Sequence, residues 1–166
     1  MCNIIYFLYM IDLIYTFFTI DMIYIWLTLG VLPFWFMLFF FPQSKICKIF
    51  VTSIFPLIIL ASVDLYLILK IYNNDLNYLD LFRLYLNLDE LLFIFSDKNF
   101  IILFWIHFLA INLFCGSWIV RDYQKINMPK FLAFFPLLLT YFIGPFGLSI
   151  YWLFRIFYSK RIDLYE

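Results

Sequence analysis

His107 is the single histidine of the chain, and together with Asp64 and Asn112 it lies inside long apolar runs. Ionisable and amide side chains are costly in such surroundings and need a partner. An Asp beside a His in low dielectric can hold or pass a proton, which is the minimum equipment for general acid–base chemistry on an apolar substrate. The same pair can instead neutralise two costly groups and pin two helices together. Asp64 lies seven residues before the end of the run 51–71, and His107 seven after the start of the run 100–120. At 1.5 Å per residue both fall roughly 10 Å inside the same face of a bilayer. Thr28 and Ser149 come out near that level, and Asn112 and Thr140 together near the midplane.

The elements that must carry these residues follow from composition. Of the 166 residues 67% are apolar and 13% charged, against about 25% charged in a soluble domain, so the chain is expected in a membrane. A spanning helix needs about 20 apolar residues, and charges with Pro or Asn clusters delimit four runs of that kind, 22–41, 51–71, 100–120 and 131–154. Short connections make neighbouring runs antiparallel, so the expected fold is all-α, an integral membrane four-helix bundle occupying 22–166 as one domain. Residues 1–21 are apolar but carry Asp12 and lack a signal peptide's basic start; they are expected to be an interfacial extension, or to precede a true start at Met22. Between the second and third runs, Leu81, Leu84, Tyr85, Leu88, Leu91 and Phe95 repeat at helical spacing opposite Asp80, Arg83, Asn87 and Glu90. This predicts an amphipathic interfacial helix over 79–95.

Eleven basic residues balance eleven acidic ones, so there is no electrostatic lure for nucleic acid. One histidine and three scattered cysteines are too few for a usual metal cluster, and no metal or other cofactor is expected. Loops 42–50 and 121–130 hold Lys45, Lys48, Arg121, Lys125 and Lys130 against Asp122 alone, which places them in the cytoplasm. Arg155, Lys160 and Arg161, at the far end of a fourth span, argue for the opposite orientation.

Helical angles refine the placement. Ile111, Phe114, Trp118, Arg121 and Asp122 share the face of His107, whereas Asn112 lies about 140° around and meets a different neighbour. Arg121 and Asp122 are expected at the interface as a solvated pair. In the fourth run Pro136, Thr140, Gly144, Gly147 and Tyr151 form a stripe whose small members let a backbone approach. Pro145 lacks an amide hydrogen and so frees the carbonyl of Tyr141, an extra acceptor inside the membrane.

The segments WIHFLAINLFCGSWIVRD (105–122) and FPLLLTYFIGPFGLSIYWLFR (135–155) resemble the abscisic acid-deficient 4 family of small integral membrane proteins. Weaker similarity extends to LGVLPFW (29–35), Pro42 and FPLIILASVDLYL (55–67). In plants that family is required for converting violaxanthin to neoxanthin in plastid membranes, so the resemblance implies a link to carotenoids or other isoprenoid lipids. Two positions depart from its pattern: Asn112 stands where the family usually has Asp, and Asp64 where relatives look apolar or aromatic. Opening an epoxide to an allenic alcohol is redox-neutral and needs an acid and a base but no cofactor. Under this reading His107 exchanges the proton, Asp64 orients it, and Thr140 or Asn112 binds the oxygen; Trp118 and Tyr141 complete the substrate-binding candidates, and Pro136, Gly144, Pro145 and Gly147 pack helices.

The leading expectation is thus a protein that binds or acts on a carotenoid-like isoprenoid within the lipid bilayer of a bacterial inner membrane, or of a plastid if organellar. The alternative is a non-catalytic scaffold or assembly factor for a pigment or lipid enzyme, with that enzyme or a second copy of the chain as partner. An ion transporter is the poorest of the three, because four spans without a repeat offer little for alternating access.

Overall fold

The computed structural model describes residue 6 and residues 19–72 and 87–159, without the side chains of 70–72. Most of the N-terminal extension, the first part of the expected 79–95 helix and the tail after Ser159 therefore lie outside the described residues. Among these residues the fold is all-helical. Helix α1 (Ile20–Phe40) starts at Thr19, whose side chain accepts from the Met22 amide. A π-helical turn (Cys47–Val51) and a short bend lead into α2 (Phe55–Tyr72). A short helix α3 (Leu88–Ile94), capped by Asn87, corresponds to the end of the expected interfacial segment. Asp97 caps α4 (Lys98–Lys125), and α5 (Lys130–Phe142) and α6 (Gly144–Ser159) complete the chain.

Three stretches are long and apolar enough to cross a membrane: α1, Cys47–Leu69 and α4, each with a mean hydropathy of 2.0 or above. They coincide with the expected runs 22–41, 51–71 and 100–120. Their outer faces carry large apolar side chains such as Trp26, Leu29, Phe36 and Ile58, as a lipid-bathed surface requires. The buried seam, with Val31, Trp35, Leu38, Leu67, Ile106 and Ile119, is centred on α4, which packs against α1, α2, α5 and α6.

The fourth run, 131–154, is divided at Ile143 and folded back on itself. Helix α5 runs antiparallel to α4, bringing Leu137 beside Gly116, and Gly144 reaches Asn112 in the middle of α4. Helix α6 then runs parallel to α4: Trp118 meets Tyr151, Asp122 meets Arg155, and the Tyr158 hydroxyl donates to the Asn127 carbonyl. Of the small residues in the Pro136–Tyr151 stripe, Gly147 admits the backbone of the hairpin's own other arm and Gly144 admits Asn112 of α4. At Gly147 an added Cβ would collide with the backbone of Thr140. Ser159 consequently ends on the same side as the 41–54 and 126–129 connections, which are themselves joined where Gln124 donates to the Pro42 carbonyl. The conflict over the basic tail disappears, since Arg155 returns to the basic side, and Lys160 and Arg161 follow directly in sequence.

Candidate functional site

Asp64 on α2 and His107 on α4 meet, with His107 Nε2 3.5 Å from Asp64 Oδ2. Their agreement in depth is a consequence of the antiparallel arrangement of the two helices. The second ring nitrogen, Nδ1, lies 2.9 Å from the Leu103 carbonyl one turn earlier. A carbonyl only accepts, so Nδ1 carries a hydrogen and donates it there. A proton shared between Nε2 and the carboxylate would give either a neutral imidazole beside a protonated Asp64 or an imidazolium facing a carboxylate. Both states are neutral as a pair, which is what an apolar environment tolerates. Among the described residues Asp64 Oδ1 is buried without a hydrogen-bond partner. The Asp64 side chain is 17% exposed and that of His107 56%, so the imidazole presents one edge to the apolar exterior of the bundle.

A second polar contact lies in the same layer. Trp105 Nε1 donates to Thr28 Oγ1 at 3.1 Å, tying α4 to α1 as Asp64 and His107 tie it to α2. Ser149, expected at this level, belongs to the returning arm and donates to the Pro145 carbonyl instead.

Asn112 and Thr140 do not join the pair. Asn112 is 1% exposed; its Nδ2 donates to the Tyr141 carbonyl at 3.2 Å, and its Oδ1 accepts from the Gly144 amide at 2.9 Å. The amide thus supplies one donor and one acceptor to the two backbone groups left over at the hairpin tip. Thr140 is fully buried, donates to the Pro136 carbonyl and packs on Gly147, so its hydroxyl is occupied. Tyr141 stands edge-on to Trp35, and Trp118 stacks on Trp152 while bordering a cleft about 16 Å along α4 from His107. The polar groups of Asn112 and Thr140 and the rings of Tyr141 and Trp118 thus engage groups other than Asp64 and His107.

The two interfacial residues separate. Arg121 is exposed, but Asp122, expected as its solvated partner, is 8% exposed and turned inward. Its Oδ2 accepts from the Tyr151 hydroxyl at 2.7 Å and from Arg155 Nε at 2.8 Å, and the Arg155 guanidinium also lies over the Trp152 ring. Sequence reasoning missed this buried cluster because Arg155 was read as the end of a span on the opposite side; the contradictory charge of the tail was the available signal. Among the described residues no group of His, Cys, Asp and Glu could hold a metal.

Neither a curated protein nor a solved structure matches the chain significantly. The family model ABA4-like, described as ABA DEFICIENT 4-like, matches residues 22–151, from Met22, the third residue of α1, to Tyr151 at the Asp122 cluster. With most of its length matched, including nearly all of α1, the whole of α2, α4 and α5 and the hairpin tip held by Asn112, the chain belongs to the ABA DEFICIENT 4-like family of membrane proteins.

Proposed function

We propose that the protein binds a carotenoid-like isoprenoid from within the bilayer and that Asp64 and His107 exchange protons with it, as an epoxy-xanthophyll isomerase would require. The observation carrying this reading is the His107 edge: one nitrogen is fixed on Leu103, the other faces Asp64, and the ring is open to the side from which a molecule dissolved in lipid arrives. In the neutral state the imidazole is the base and the protonated carboxyl the acid. His107 Nε2 takes the carbon-bound proton as Asp64 gives its own to the epoxide oxygen; the carbon–hydrogen pair becomes a new double bond cumulated with its neighbour, and the carbon–oxygen pair leaves with the oxygen. The resulting imidazolium and carboxylate restore the starting pair by passing one proton between them. No electron acceptor is consumed, in keeping with a redox-neutral step.

The basic side, with loops 42–50 and 121–130 and the end of α6, faces the cytoplasm of a bacterial cell or the equivalent side of a plastid membrane under the positive-inside rule. The unit that does this is a single domain over 22–166.

The experiment is reconstitution of the purified protein with an epoxy-xanthophyll, followed by chromatography of the pigment. The reading expects conversion by the native chain and its loss in Asp64→Asn. A second reading, a scaffold for a pigment enzyme, is favoured by the use of Asn112, Thr140 and Asp122 in fastening helices. Stable capture of such an enzyme, with no bound pigment and no conversion, would support it over the first.

A further inference from the structure

One stripe of α4 changes its surroundings halfway along the helix. Phe104, Phe108, Ile111, Cys115, Ile119 and Asp122 follow one another three or four residues apart and so share a face. Asp122 is held by Tyr151 and Arg155 of α6, and Cys115 and Ile119 are buried on the same face. Phe104 and Ile111 are about half exposed, and Phe108 is partly so. The cause is the hairpin's turn. Its tip reaches Asn112 and goes no further, so beyond that level no spanning helix among the described residues covers this face of α4.

The uncovered stretch is a recess with two ends. The hairpin tip, where Phe142 and Ile143 are exposed, closes it toward the midplane. The Phe95 ring, 5.1 Å from that of Phe104, closes it toward the surface. From Phe104 to Asn112 is eight residues, a height of about 12 Å. The wall is aromatic: Phe104, and Phe108 stacked on Trp105 with ring centroids 5.2 Å apart. His107 stands three residues after Phe104 and four before Ile111, so its half-exposed imidazole borders the same recess.

The wall decides what fits. Helices approach each other in lipid over small residues, and none of Phe104, Phe108 and Ile111 is small, so a helix of a second copy has no seat here. Flat conjugated groups stack on aromatic rings, a contact that a saturated chain lacks.

We propose that this recess binds the planar conjugated end of an apolar ligand, a polyene whose terminal ring lies against Phe104 and Phe108 with its edge toward His107. This rests on the isoprenoid reading of the Asp64–His107 pair and adds the residues that select the ligand. Stacking on Phe104 and Phe108 favours a conjugated isoprenoid over a saturated one of similar length.

The test uses β-carotene, a ringed polyene without an epoxide, so that binding is read apart from proton transfer. The full chain, loaded in nanodiscs containing β-carotene, is moved into pigment-free detergent and re-isolated by size exclusion, and retained pigment per protein is read by absorbance. The native chain and Asp64→Asn should both retain it, and excess squalane, a saturated isoprenoid, should not displace it. Phe104→Ala with Phe108→Ala should lower retention on the order of tenfold. Ile111→Trp, which fills the recess from an exposed position, should lower it as much with little change in unfolding temperature. Phe36→Ala, on the outer face of α1, should leave it unchanged. No retention by the native chain, full retention by Ile111→Trp, or ready displacement by squalane would overturn the proposal. Should the double alanine variant fail to fold, Ile111→Trp decides. No retention alongside conversion of an epoxy-xanthophyll would overturn the recess and leave the proton chemistry standing, whereas retention without conversion would support the recess and remove the chemistry.

Discussion

Asn112 donates its side-chain amide to the carbonyl of Tyr141, the acceptor that Pro145 leaves without a helical partner. Its oxygen at the same time takes the amide hydrogen of Gly144. One side chain on α4 thus closes the hydrogen bonding of a hairpin tip in the middle of the membrane. The first prediction follows from the cost of undoing it. Asn112→Leu keeps the volume but strands both backbone groups, each at roughly 1–3 kcal/mol. Thermal unfolding in detergent should show a marked loss of stability, whereas Asn99→Leu, which gives up only a local contact with Asp97 at the start of α4, should change it much less.

Gly147 lies against the backbone of Thr140, and a backbone cannot step aside as a flexible side chain can. Gly147→Ala is expected to destabilise the hairpin by about 1–3 kcal/mol or more. Gly30→Ala is the internal control: nothing lies within 4 Å of the added Cβ, and the helix gains propensity. Opposite shifts in unfolding temperature are expected for the two variants.

Asp122 and Arg155 are both nearly buried, so removing the guanidinium leaves a buried carboxylate without the cation beside it. Arg155→Met should cost about 3–5 kcal/mol, and adding Asp122→Asn should recover a substantial part of it. A double-mutant cycle of unfolding free energies checks this, and additive losses would show that the two groups act separately.

The hairpin also makes a topological prediction. In a background with Cys2, Cys47 and Cys115 replaced, Lys45→Cys and Ser159→Cys should react with an impermeant maleimide from one side of sealed vesicles and Asn99→Cys from the other. If Ser159→Cys reacts together with Asn99→Cys, the last segment crosses the membrane and does not return.

Much of this arrangement was legible before any coordinates. The apolar runs of α1 and α4, and the depth shared by Asp64 and His107, follow from helix rise and from where charges stop a span. The freed Tyr141 carbonyl was legible too, since a proline's missing hydrogen is a local fact. Its partner was not, because a side chain 29 residues away comes near only once the hairpin forms. The 24 residues from 131 to 154 are long enough either to cross a bilayer or to enter and return, and length and hydropathy do not separate these outcomes. Burial of Asp122 depends on that choice: only a returning α6 brings Arg155 and Tyr151 to it. Placing Asn112 and Thr140 at a substrate oxygen had the same origin, because their depth was readable and the backbone that consumes their polar atoms was not.

The central claim is that His107 moves a proton on an isoprenoid substrate, and replacing the imidazole tests it most directly. Wild-type protein and His107→Ala should be reconstituted at matched folded amounts with an epoxy-xanthophyll, and the rate of isomer formation measured. The account predicts a rate reduced by about 10²-fold or more in His107→Ala, with thermal stability largely kept because the ring is half exposed. Undiminished conversion by His107→Ala would contradict it.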